Sequence, residues 1–568
     1  MPRIRLFAAL LLLFAVAFQT AHFCAAQRSA TDTYAITNAR IVTVSGPTIE
    51  RGTIVIRDGL ISAVGERVSA PADARVIDGT GLTVYPGFFD SNTNLGMPAP
   101  SPTPSPAPGA GGFLQNLLHP PSPSGGGPNS TQPLGLQPEV MAEQSLKPGG
   151  SEIEAARNVG ITTALTVPRT GTWVGQSALI NLAGDTPQQM IVRSPVAMHI
   201  AFTPLRGGGY PGSLMGVFAV LRQMLLDAQR YQKAQETYER APRGTRRPEL
   251  DRSLAALIPV LEGKMPVVMY ADRQREIMRA LDLAQEFNLR VIIAGGLEAA
   301  QLADRLRQRD VPVLLSLNLP KRTTAASPDA EPEPLRILRQ RVEAQKTAAK
   351  LAAAHVRFAF QSGSMSNIAD YLANAAKVID NGLSRDEALR ALTIRPAEIF
   401  GVADRLGSIE TGKIANLTVT SGDLFNRNTR VTNVFIDGRP VDLRPAAAPA
   451  AGVGPGPPSL PGTPPEEARV SFTGNWSITV SLPDQSLPGT LVLSQQGDNL
   501  SGSLQTPVGN AEFSNGTISG DTFHITAMAD IHGQSVPITI DGTVHGNSIS
   551  GTVQSALGNA TFSGSRPP

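Results

Sequence analysis

At 568 residues the chain is several times longer than one hydrophobic core needs, so two or three folded units are expected, and an apolar content of 41% argues against global disorder. With 49 basic and 47 acidic residues the net charge is +2, so there is no field of one sign to gather nucleic acid or an anionic membrane. The densest basic stretch, Arg240 to Arg252, also holds Glu249 and Asp251 and is broken by Pro242, Gly244 and Pro248; it reads as a solvated loop between helices.

Residues 1–26 carry Arg3 and Arg5, then an apolar run from Leu6 to Phe18, then Cys24-Ala25-Ala26, the layout of a cleaved export signal. The run is short for a bilayer span, so the mature chain is expected to have no transmembrane segment and to reside in a periplasm or outside the cell. Phe23 sits where a lipid-anchored Cys24 would want a small residue, which weighs against that alternative. Cleavage after Ala26 removes the single cysteine, leaving neither a disulfide nor a thiol nucleophile.

Between Tyr34 and Val84 the stretches ITNARIVTV, GTIVIRDGLISAVGE and ARVIDGTGLTVYPG predict short alternating strands, with Asp58-Gly59 as a tight hairpin. The segment PGFFDSNTNLG follows at residues 86–96. Residues 97–148, containing PAPSPTPSPAPGAGG and PPSPSGGGPNS, are too rich in Pro, Gly and Ser to pack a core and read as a disordered insertion. From about Gly149 to Pro396 the apolar runs ITTALTV, PVAMHIAF, PVVMY, RVIIAG, VPVLLSL and VRFAF alternate with helical segments such as EIMRALDLAQEF and AQLADRLRQR. That alternation predicts a parallel sheet covered by helices. Strands at Tyr85 to Phe89 and near Ala178 to Leu182 bring the candidates to eight and favour a closed (β/α)8 TIM barrel.

A Pro- and Ala-rich tract at 444–466 reads as a linker. Residues 467–568 hold alternating runs (SITVSL, TLVLSQQ, TFHITA, PITIDGTV) with frequent turn dipeptides, predicting a separate C-terminal β-sandwich or small β-barrel. LSGSLQTPVGNAEFS from Leu500 and ISGTVQSALGNATFS from Ile549 form an internal repeat, which implies two similar sheet halves. His524, His532 and His545 lack metal-ligand spacing, and Trp476 reads as a core residue closing the barrel. The module is a candidate to bind a surface, a polymer or a protein.

The strand pair around RDGLISAVG, the junction VIDGTGLTVYPGFFDSNTNLG and the tail LRALTIRPAEIFGVADRLGSIETGKIANLTVTSGDL together resemble the amidohydrolase superfamily, in its dihydroorotase and imidazolonepropionase branch. The resemblance implies an α/β fold with the barrel (87–400) inserted in a composite β-sandwich built from 27–86 and 401–443. It also implies hydrolysis of carbon-nitrogen bonds other than peptide bonds, assisted by zinc or another divalent metal that lowers the pKa of a bound water. Carried over by position, the histidine ligands of that family fall on Asn92 and Asn94 after the first barrel strand, near Tyr270 after the fifth and near Gly295 after the sixth. The acid after the eighth falls near Ser362 or Gly363. An amide oxygen is a poor zinc donor beside imidazole, so a degenerate metal site and no metal cofactor are expected.

The polar groups left at the strand ends are Asn92, Asn94, Arg169, His199, Tyr270, Asn318, Lys321, Gln361 and Ser362. Asn92 and Asn94 either satisfy backbone groups or touch a ligand; His199 is either a hydrogen-bonded core histidine or a catalytic one. Asp272 is expected to cap the helix that follows it. Two functions of different class follow: an exported hydrolase of non-peptide carbon-nitrogen bonds, or a catalytically inactive barrel that binds a small molecule or serves as a scaffold.

Overall fold

The computed structural model describes residues 33–98, 132–443 and 472–566, apart from 170, 206–209, 323–332, 364, 427 and seven short stretches in the C-terminal part, and the statements below concern these residues. The expected export signal and linker lie outside them. The chain divides into two units.

In the first unit, strands β1 (Thr33–Ile41), β2 (Ile49–Arg57), β3 (Leu60–Gly65), β4 (Arg75–Asp78) and β5 (Thr83–Pro86) precede β6 (Phe88–Thr93), β7 (Ile161–Thr166), β8 (Trp173–Gln176), β9 (Ala178–Asn181), β10 (Ile191–Arg193) and β11 (Met198–Ala201). Then come β12 (Val267–Ala271), β13 (Val291–Gly295), β14 (Val313–Ser316) and β15 (Phe358–Gln361), and finally β16 (Leu417–Thr420), β17 (Val431–Ile436) and β18 (Arg439–Val441). One eight-stranded sheet takes strands from both ends of this unit, in the order β18-β17-β16-β5-β1-β2-β3, with β4 beside β1. Its apolar face includes Ile36, Ile41, Ile54, Ile56, Leu417 and Phe435. Asp58 and Gly59 both take positive φ, 51° and 82°, the type I′ geometry that the twist of a two-residue hairpin demands.

The remaining strands form a four-stranded sheet, β10-β9-β7-β6, and a six-stranded sheet, β15-β14-β13-β12-β11-β8. Strands β11 to β15 are parallel, as are β6 and β7. Here alternate residues face different layers. Leu165, Val268, Ile292, Leu314 and Ala359 pack together, whereas Val267, Met269, Ile293, Val313 and Phe360 pack on the helices. Burial on both faces is why these strands read as unbroken apolar runs. The helices supply the matching stripe: Gln274–Glu286 buries Ile277, Ala280, Leu281 and Ala284. Each such Ile or Leu contributes about 1.5–3 kcal/mol.

Several expectations are corrected. The stretch expected as one strand at Tyr85 to Phe89 is two: β5 pairs with β16 in the composite sheet and β6 pairs with β7. They part at Gly87, where a Cβ would lie 2.1 Å from Thr162 Oγ1. The strand near Ala178 to Leu182, β9, runs antiparallel to its neighbours β7 and β10, and the preceding β8 runs antiparallel to β11. Main-chain bonds from Ser177 N to Ala197 O and from Val196 N to Ser177 O, both 2.9 Å, link the two sheets at this reversed segment. Residues 132–148, expected within a disordered insertion, are folded. Leu136, Ala142 and Leu146 are buried, and Leu136 and Met141 bridge to Trp173 and Gln176.

The second unit is a closed barrel of eight antiparallel strands: β19 (Gly474–Ser481), β20 (Ser486–Gln496), β21 (Asn499–Thr506), β22 (Gly509–Ser519), β23 (Thr522–Ile531), β24 (Gln534–His545), β25 (Ser548–Ser555) and β26 (Gly558–Ser565). The repeat maps onto the hairpins β21-β22 and β25-β26, and its paired positions Leu500 and Ile549, Phe513 and Phe562, are all buried in the interior. Trp476 is fully buried, donates Nε1–H to Phe472 O at 3.1 Å and lies 4.5 Å beneath the Arg566 guanidinium. Among the described residues, no helix is long and apolar enough to cross a membrane.

Candidate functional site

The interior of the strand layer is apolar along most of its length and turns polar near the C-terminal strand ends, where Asn92, His199, Tyr270 and Gln361 meet. His199 Nδ1 lies 3.2 Å from the Tyr270 hydroxyl, which donates to Asn92 Oδ1 at 2.9 Å. Asn92 Nδ2 donates to Gln361 Oε1 at 2.7 Å, and Gln361 Nε2 donates to the Leu314 carbonyl at 2.5 Å. Four strands, β11, β12, β6 and β15, thus share one hydrogen-bonded chain of neutral groups that ends on a fifth, β14. His199 is fully buried, and burial holds its imidazole down to about 3, so it is neutral at physiological pH. Burial also pushes the Tyr270 phenol well above its ordinary range, opposed in part by its bond to Asn92.

Beneath this chain, Asp90 is fully buried and accepts from the backbone N–H of Ser362 at 2.9 Å. Burial raises its carboxyl to about 6, while hydrogen bonds from Ser362, Asn92 and Thr93 pull the other way. Tyr371, also fully buried, donates to the carbonyls of Phe89 at 2.9 Å and Phe360 at 3.2 Å, so the β6-β15 seam is stitched by side chains. Asp90 was not singled out from sequence, although it stands in the PGFFD segment; a carboxylate directly after Phe88 and Phe89 was the available signal.

The other expected site residues take different roles. Asn94 donates to the Val167 carbonyl at 2.7 Å and so satisfies backbone, apart from Asn92. Asn318 donates to the Gly363 carbonyl at 3.2 Å, and Ser362 contributes its backbone N–H. Arg169 donates to the carbonyls of Pro98 and Met97, and Lys321 pairs with Asp370 at 2.9 Å. Asp272 does not cap the following helix: its cap position is Arg273, and Glu276 accepts the backbone N–H groups of Asp272 and Arg273 at 3.0 and 3.1 Å. The longer side chain wins because it reaches back from the first turn to two amides at once.

Gly295 and Gly363 have tight surroundings. Gly295 sits at φ +99°, and a Cβ there would come within 2.4 Å of Asp272 Oδ1; Gly363 sits at φ +59°, with Ser316 Oγ 2.1 Å from the same added atom. Both positions therefore exclude an ordinary side chain. Among the described residues, no group of three or more His, Cys, Asp or Glu stands where it could hold a metal ion.

Comparison with known proteins adds the following. The model of the amidohydrolase family matches residues 324–441. A dihydroorotase of Anaeromyxobacter dehalogenans is 40% identical over 67 residues, which are 12% of this chain and 16% of the relative. An N-acetylglucosamine-6-phosphate deacetylase of Haemophilus influenzae is 35% identical over 78 residues, 14% of this chain and 19% of the relative. The matches thus span less than a fifth of these relatives' length. A solved amidohydrolase structure from Thermotoga maritima superposes over 72% of this chain and 100% of its own, with a TM-score of 0.60 and 26% identity.

Proposed function

We propose, for a chain that belongs to the amidohydrolase superfamily, that its strand-end site is a neutral hydrogen-bonding site that binds a small molecule and has given up metal-assisted hydrolysis. In this reading the four-stranded and six-stranded sheets of the first unit form one (β/α)8-like ring whose centre has changed chemistry. The observation that carries it is the chain His199-Tyr270-Asn92-Gln361. Zinc takes thiolates, imidazoles and carboxylates. Here Asn92 spends both ends of its amide on Tyr270 and Gln361, Asn94 is bound to backbone, and Gly295 and Gly363 have no room for a ligand side chain. The residues at these positions do not fit a divalent metal.

Elemental analysis of protein purified without chelator tests this. Less than a tenth of a mole of zinc or manganese per mole of chain is the expected result, and stoichiometric metal would sink the proposal. The double substitution Asn92→His and Asn94→His is expected to gain no metal, because Gly295 and Gly363 leave the rest of the ligand set missing.

A second reading is favoured by Asp90, a buried carboxyl raised to about 6 and so poised to exchange a proton near neutrality. It keeps the chain as a hydrolase of carbon-nitrogen bonds, in line with relatives named dihydroorotase and deacetylase, but working without the standard metal set. Turnover of hydantoins, dihydropyrimidines or N-acyl amino acids by metal-free protein, lost in Asp90→Asn, would establish it over the first. Export through residues 1–26 belongs to either reading. So does binding of a surface, polymer or protein by the C-terminal barrel; secretion of the full chain and pull-down with the isolated tail region test these.

A further inference from the structure

The polar chain has a direction, and the direction is set at its far end. Leu314 offers only a carbonyl, so Gln361 must turn its amide nitrogen there and its oxygen toward Asn92. Asn92 must then donate to Gln361 and accept from Tyr270, whose hydroxyl proton is thereby committed. The remaining contact, 3.2 Å from the Tyr270 oxygen to His199 Nδ1, can be a hydrogen bond only if Nδ1 carries the proton. Reversing the chain would press the Gln361 oxygen against the Leu314 carbonyl. Geometry thus determines a tautomer that the ring alone would leave open.

In a neutral imidazole protonated at Nδ1, Nε2 is a bare acceptor. That atom is buried and, among the described residues, has no hydrogen-bond partner. A buried acceptor left unmatched costs about 1–3 kcal/mol, so such atoms normally face a donor. A cation has little to gain here, because no carboxylate joins the chain to share its coordination. Tyr270, next along the chain, is partly exposed.

Resting on the reading that this site binds a neutral molecule, we propose that His199 Nε2 is a fixed hydrogen-bond acceptor and that the ligand is a small uncharged compound donating an N–H or O–H to it. Tyr270, Asn92 and Gln361 are positioning residues that hold the tautomer; the ligand contact itself is at His199.

The test uses the full chain with nitrogen-labelled histidine, the His199 signals being assigned by their loss in His199→Gln. The ring is expected to show a protonated Nδ1 and an unprotonated Nε2, unchanged between pH 5 and 8. The matched probes are 2-pyrrolidinone, a neutral lactam with one N–H, and N-methyl-2-pyrrolidinone, the same ring without it. The first is expected to shift Nε2 saturably and the second to bind at least about tenfold more weakly. In Tyr270→Phe the Nδ1–H loses its acceptor, so the Nε2–H tautomer should appear and the preference should vanish. A wild-type Nε2–H tautomer, equal response to the two probes, or response to neither would overturn the inference while leaving a metal-free site standing. Stoichiometric zinc in the purified protein, with Nε2 shifting on its removal, would instead bring down the reading beneath it.

Discussion

The interiors of the two units are held together by different physics. In the C-terminal barrel, Trp476, Phe472, Leu500, Phe513, Phe523, Ile549 and Phe562 fill the centre, and any side chain of similar volume and polarity serves the same purpose. At the strand ends of the first unit the interior is a directional chain, in which removing one atom strands its two neighbours. Apolar interiors tolerate exchange of shape for shape. Polar ones are specified atom by atom.

The largest effect that can break this comparison is expected from Trp476→Ala, which should destabilise the C-terminal barrel by about 3–5 kcal/mol. Trp173 then remains as the single tryptophan, and its fluorescence should report an unchanged unfolding midpoint for the first unit. If both units lose stability together, their separation is wrong.

Asp90 sharpens the polar side of the comparison. Its carboxyl is near 6 when folded against an ordinary value of 3.8, so the native state holds a proton that the unfolded chain has lost between those pH values. Stability should therefore fall as pH rises from about 4 to 6, by up to roughly 3 kcal/mol from this group. Asp90→Asn, which mimics the protonated form, should be more stable than wild type above pH 6 and no more stable below pH 4. Urea melts of the pair across that range decide it; parallel curves would show that Asp90 is solvated.

Tyr270→Phe should cost about 1–3 kcal/mol, more than the loss of one oxygen from an apolar wall, because His199 Nδ1 and Asn92 Oδ1 lose a partner at once. A thermal melt showing no change would mean that the chain is slack. The smallest effect is expected at His524, whose 2.6 Å pair with Asp541 lies on the exposed outer face of the barrel. His524→Ala should shift stability by no more than about 0–1 kcal/mol, readable in the same melts.

Much of the fold was legible in sequence because its signals are local. Two-sided burial produces unbroken apolar runs such as RVIIAG, and a type I′ hairpin demands residues like Asp58 and Gly59. The reversed segment Trp173–Asn181 was not legible, since strand direction depends on hydrogen-bond partners from β7 and β11 and not on its own residues. Residues 132–148 differ from the Pro- and Gly-rich tract before them in holding Leu134, Leu136, Val140, Met141 and Leu146, but the contacts that order Leu136 and Met141 come from Trp173 and Gln176 and leave no local signal. Of the candidate site, Asn92, His199, Tyr270 and Gln361 were named individually, while Asn94 and Asn318 proved to serve backbone.

By itself, then, the sequence determined which positions are apolar, where the chain turns and which polar residues stand near the strand ends, because side-chain chemistry and local backbone preference are properties of the residues. Tertiary structure alone decided that Asn92 and Asn94 part company, that Gly295 and Gly363 have no space for a side chain, and that the lone pair of His199 is left open. Each of those depends on a partner from a distant strand, and the Leu314 carbonyl, which fixes the direction of the whole chain, carries no sequence signal at all.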